Sequence, residues 1–141
     1  MRPRAPNKQQ GIMLLEALIG ILIFSIGILA MLGMQAIGMR ATIDAKYRSE
    51  ASYLANQVIG QMWVDRTNLG NYATTGPAYA PRDEWVAKVD TLLPRNAADP
   101  TTTTPIIAVA GQQVTITVRW MRRGDDSVNQ HVAIAQIVGP S

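Results

Sequence analysis

A chain of 141 residues suits a single domain, and one long apolar stretch near its start leaves only about a hundred residues for a soluble core. The formal charge of +3 comes from Arg2, Arg4 and Lys8, all before Gly11; from Ile12 onward ten basic residues meet ten acidic ones, so net charge gives no support to nucleic-acid binding. There is no cysteine, which excludes disulfides and thiolate metal sites.

From Ala17 to Met34 the only polar side chain is Ser25, and extending to Met39 adds only Gln35. About 20 apolar residues carry a helix across a bilayer. A core this small rarely hides a helix that is apolar all round, so a membrane segment is expected. A removed secretory signal is disfavoured: the apolar run exceeds the usual length of about 7–15 residues, and no small-x-small cleavage site follows it. Basic residues on the two sides are equal in number, Arg2, Arg4 and Lys8 against Arg40, Lys46 and Arg48. The short leader is placed in the cytoplasm because so brief a tail is the less readily translocated end. Near the start of the segment stands Glu16, whose charge would cost about 2.5–3.5 kcal/mol at a bilayer centre. Such a residue needs a partner.

The run Gln10, Gly11, Ile12, Met13, Leu14, Leu15, Glu16 resembles the class III signal of type IV pilins and type II secretion pseudopilins. In that family a short basic leader ends in Gly, an apolar residue follows, and Glu stands fifth in the mature chain. The resemblance implies that a prepilin peptidase cuts between Gly11 and Ile12 and methylates the new amine of Ile12. It also implies that Glu16 is a docking mark for assembly. Ile12 and Met13 replace the commoner Phe and Thr, while the Gly and the Glu are kept. A buried carboxylate paired with an ammonium regains much of its desolvation cost, so pairing rewards only a correctly staggered neighbour. The alternative for Glu16 is an interfacial acid facing headgroups.

The expected organisation is a leader over residues 1–11, a transmembrane and assembly helix over 12–39, and a periplasmic globular domain over 40–141. Gly20, Gly27 and Gly38 fall within about 20° of one another on the helix, a stripe that either forms a packing seam or is chance placement. Beyond the anchor, Tyr47, Ala51, Leu54, Ala55, Val58 and Met62 recur at three- and four-residue steps, which predicts an amphipathic helical half over about 40–64. Arg40 with Asp44, Asp44 with Arg48 and Lys46 with Glu50 are spaced to pair on its exposed side.

Residues 65–81 read as loop. A short helix is predicted over 82–93, with Asp83 as cap and Trp85, Val89 and Leu92 on the buried face. The four threonines 101–104 read as a flexible connection. Val114, Ile116, Val118 and Trp120 alternate with Thr115, Thr117 and Arg119, which predicts a half-buried strand. Gly111 and Gln112 suit a two-residue hairpin turn, and residues 129–138 supply a third strand after a turn around Gly124. His131 is a strand residue rather than a metal ligand. The tripeptide Arg123, Gly124, Asp125 is a chance match in a polar turn.

The predicted fold class is therefore α+β: a long N-terminal helix, half membrane-spanning and half amphipathic, packed on a small antiparallel sheet. Residues 57–72 and 114–125 further resemble PilV-type minor pilins, the type IV pilus modification proteins. That resemblance implies a minor pilin that primes or modifies type IV pilus assembly. Its implied setting is the inner membrane, with a single pass and the C-terminal domain in the periplasm, or the pilus itself. Implied partners are the prepilin peptidase, other minor and major pilins, and the inner-membrane assembly platform. No cofactor, catalytic activity or nucleic-acid partner is expected. Alternatives are a minor pseudopilin of a type II secretion machine, a single-pass membrane protein with a ligand-binding periplasmic domain, and a DNA-uptake pilin relying on Arg119, Arg122 and Arg123.

Overall fold

The computed structural model describes residues 9–138, so most of the expected leader lies outside the described residues. Helix α1 runs Gln9–Val64 without a break. No proline stands between Pro6 and Pro77, and the interior of the run is rich in Ile, Leu, Met and Ala. The chain divides into two compact units, Met1–Ile43 and Asp44–Ser141.

In the first unit, every residue from Gly11 to Ile43 is exposed. The helix is long and apolar enough to cross a membrane.

The second unit is built on the amphipathic half of α1. Ala51, Leu54, Ala55, Val58 and Met62 are buried as the spacing predicts, with Tyr47 packed at the margin of the same core. A 3₁₀ stretch, Arg66–Tyr72, follows in place of a simple loop and contributes Leu69 and Tyr72 to the core. Helix α2 then runs Ala80–Leu92, two residues longer at its start than predicted. Pro81 explains the earlier start, since its missing N–H costs nothing in a first helical turn. Asp83 is consequently inside the first turn rather than at the cap, where it accepts the Tyr79 N–H at 3.0 Å. The buried face of α2 is Trp85, Val89 and Leu93. Leu92 is 40% exposed whereas Leu93 is 4% exposed, because α2 ends there and the chain turns extended at Leu93. Trp85 donates its ring N–H to the Leu54 carbonyl at 2.9 Å, so this buried indole loses no hydrogen bond.

The threonine run is ordered. Asp99 caps a short 3₁₀ turn, Pro100–Thr103, by accepting from the Thr101 N–H, and Thr103 is buried. Three antiparallel strands complete the unit in the order β1 (Ile106–Ala110), β2 (Gln113–Trp120) and β3 (Asn129–Gln136). Gly111 has φ +63° and no other residue of the β1–β2 turn is left-handed, as a two-residue turn with glycine first requires. Gly124, at φ +89°, turns the chain between β2 and β3. Val114, Ile116, Val118 and Trp120 face the core from β2, and Ile107 and Ile137 close it. The expected α+β outline, a long helix and a small antiparallel sheet, is therefore present.

Candidate functional site

At the start of α1, the Gly11–Ile12 bond lies inside the first helical turn, and Ile12 is exposed. A Cβ placed on Gly11 would meet no atom within 4 Å. This chain's own packing therefore makes no demand for glycine at that position.

Glu16 follows on the same exposed helix. Its neighbours three and four residues away are Ile12, Met13, Ile19 and Gly20, none of which carries a side-chain donor. An ionised carboxylate can only accept hydrogen bonds, and the helix N–H groups beyond the first turn are already used by the helix. The hydroxyls of the first unit behave differently. Ser25 donates to the Ile21 carbonyl at 2.7 Å and Thr42 to the Gly38 carbonyl at 3.0 Å, so each is satisfied inside the helix. Among the described residues, Glu16 has no donor. Its hydrogen bonds come from outside the described residues.

The glycines predicted to form a stripe leave their surroundings open: a Cβ at Gly20, Gly27 or Gly38 would touch nothing. Hollows beside two of them are lined by Phe24, Gly27, Ile28 and Met31, and by Gly38, Met39, Thr42 and Ile43.

The second unit holds two polar clusters that sequence spacing did not reveal. In the first, the Asp65 carboxylate accepts from Tyr79 Oη, from Tyr72 Oη at 3.4 Å and from Asn68 Nδ2 at 2.7 Å. The phenol rings of Tyr72 and Tyr79 meet edge to face at 5.0 Å. Beside them buried Arg82 donates to the Ala73 carbonyl at 2.7 Å and pairs with Asp83, also at 2.7 Å. These bonds tie the segment between the two helices back on itself. Tyr79 and Asn68, with a smaller contribution from Tyr72, hold the Asp65 carboxyl below its usual value. The Arg82 guanidinium does the same for Asp83. Burial and the neighbouring Asp65 charge push the Tyr72 phenol up to about 12.

A depressed carboxyl stabilises the fold above its unfolded value, near 3.8, and that stabilisation is lost as pH falls through the folded value. A raised phenol stabilises below its unfolded value, near 10, and the benefit is lost as pH climbs toward 12. Asp65→Asn is therefore expected to lower stability at neutral pH and to flatten its decline below about pH 4. Tryptophan fluorescence during denaturant unfolding at a series of pH values measures both. An acid limb as steep as that of the wild type would show that Asp65 contributes nothing to it.

In the second cluster, Arg122 engages Asp125 through Nε and Nη2, each at 3.0 Å, and Asp44 through Nη1 at 2.9 Å. Asp44 thus turns to the connection between β2 and β3 rather than pairing along α1 as the spacing predicts. A guanidinium already fixed by a two-pronged contact offers it a better-ordered partner than a mobile surface side chain does. The same contacts occupy the Asp125 carboxylate of the Arg123, Gly124, Asp125 tripeptide. They also neutralise the central member of the basic group Arg119, Arg122 and Arg123. His131 sits in β3 opposite Val118, as a strand residue. Among the described residues, no three of His, Cys, Asp or Glu are grouped to hold a metal ion.

No family model matches the chain, and neither does any curated protein or solved structure.

Proposed function

We propose that the chain is a minor pilin that primes or modifies type IV pilus assembly. In this proposal α1 anchors it in the inner membrane and the globular unit stands in the periplasm. A prepilin peptidase cuts between Gly11 and Ile12, Ile12 receives the N-methyl group, and Glu16 docks on a neighbouring subunit. The observation that carries the proposal is Glu16: an acceptor-only side chain with no donor among the described residues, on an exposed apolar helix, five positions after a glycine that the described packing does not need. A freshly cut α-amine on an adjacent pilin would be a donor of the right charge.

Deletion of the chain from its native cell is the test. Surface piliation is expected to fall while type II secretion continues, and expression from a plasmid is expected to restore the pili. Secretion lost with pili intact would place the chain in a secretion machine instead.

A further inference from the structure

The turn between β2 and β3 divides two hollows of different charge. One is lined by Asp44, Asp125 and Asp126 together with Arg48 and Arg122. The other, of about 300 Å³, is lined by Arg95, Arg122 and Arg123 and by no Asp or Glu. Pro94, Ala98 and Met121 give this second hollow an apolar wall. The chain's own hydrogen bonds hold that wall in place. The Met121 N–H donates to the Pro94 carbonyl at 3.0 Å, which pins the exit of β2 to the segment after α2. Asn96 accepts the Ala98 N–H at 3.0 Å and donates to Thr102 Oγ1 at 3.0 Å.

The three guanidinium groups differ in what they have left to give. Arg122 is taken up by Asp44 and Asp125. Arg95 gives Nη1 to Asp90 at 2.7 Å and Nη2 to the Pro100 carbonyl and Thr104 Oγ1, while its buried Nε has no acceptor among the described residues. Asp90 Oδ1 is also buried without a donor, but Asp90 does not line the hollow. Arg123 is exposed, and its side chain makes no hydrogen bond or ion pair among the described residues. An unmet donor on one lining residue and a free guanidinium on another, with no carboxylate between them, suit an anion.

The place of the hollow selects the anion. Arg122 ties this end of the sheet to Asp44, five residues beyond Met39, the last residue of the expected span. Five residues of helix rise about 7.5 Å and five fully extended reach about 18 Å, so the hollow stays near the membrane surface whatever the angle between the two units. That surface presents phosphates joined to apolar glycerol esters.

We propose that this hollow binds the phosphate of a membrane phospholipid, with Arg123 as its principal donor and Pro94, Ala98 and Met121 against the glycerol ester. The site asks nothing of Gly11 or Glu16, so it stands apart from the proposed function.

Isothermal titration calorimetry of the full chain in a non-ionic detergent tests it. The probes are dihexanoyl phosphatidylglycerol, dihexanoylglycerol without the phosphate, glycerol phosphate and inorganic phosphate. Saturable binding of the phosphatidylglycerol is expected, with no saturable binding of dihexanoylglycerol. The two soluble phosphates should bind more weakly by about tenfold or more, because they bring no apolar group to the wall. Arg123→Gln should weaken the lipid by about tenfold or more through loss of charge-assisted hydrogen bonds. Ala98→Trp, at an exposed position, should block it by filling the hollow. Arg48→Gln, in the neighbouring hollow, should leave the affinity unchanged. Absence of saturable lipid binding would overturn the site, as would equal binding of dihexanoylglycerol. An affinity indifferent to both Arg123→Gln and Ala98→Trp, or lowered as much by Arg48→Gln as by Arg123→Gln, would do the same. A soluble phosphate that binds as tightly as the lipid would overturn the assignment to a membrane ligand.

Discussion

Gly11→Val is expected to leave an uncut precursor in the membrane of cells with an active prepilin peptidase. The substitution adds bulk beside the bond that the proposed peptidase would hold in register, and misplacing reacting atoms by about 1 Å can cost about 100-fold in rate. The structure leaves room for this change, because a Cβ at residue 11 has no atom within 4 Å beyond its own neighbours along the helix. Mature protein should fall to a trace on an immunoblot that separates precursor from product, while total membrane-bound chain stays at the wild-type level. Trimming at Ile12 that proceeds as in the wild type would refute the assigned junction.

Glu16→Ala is expected to insert normally and to be cut, yet to fail afterwards. Removing an acid from an apolar segment eases insertion. It also removes the acceptor that a neighbouring amine would use. Losing one member of a desolvated charge pair costs about 2–5 kcal/mol, much of it because the other charge is left unpaired. Recovery of other minor pilins by co-purification should therefore drop by more than about tenfold at matched membrane levels, with surface piliation falling too. A carboxylate that merely faces headgroups would be replaceable at no such cost. Equal recovery and equal piliation would leave Glu16 without a role in assembly.

What was legible in the sequence was periodic. The three- and four-residue recurrence from Tyr47 to Met62 and the alternation from Val114 to Trp120 name core residues that the fold does bury. The exposed apolar run and Glu16 are equally plain from sequence, since they need no knowledge of tertiary contacts. Misplacements fell where long-range contacts or backbone endings decide. Leu92 and Leu93 are equivalent by composition, and only the end of α2 selects Leu93 for the core. Asp44 has two basic residues at helical spacing, yet Arg122 wins it from 78 positions away. The Asp65 cluster joins residues from three segments, which no local spacing signals. The threonine run looked mobile by composition, but the Asp99 side chain caps it and Thr103 enters the interior.

Mass spectrometry of the N-terminal peptide from native membranes tests the central claim most directly. The proposed processing predicts a chain that begins at Ile12 and carries one N-methyl group on its α-amine, with residues 1–11 absent. Recovery of the intact precursor, or of a terminus elsewhere, from cells with an active prepilin peptidase would contradict it.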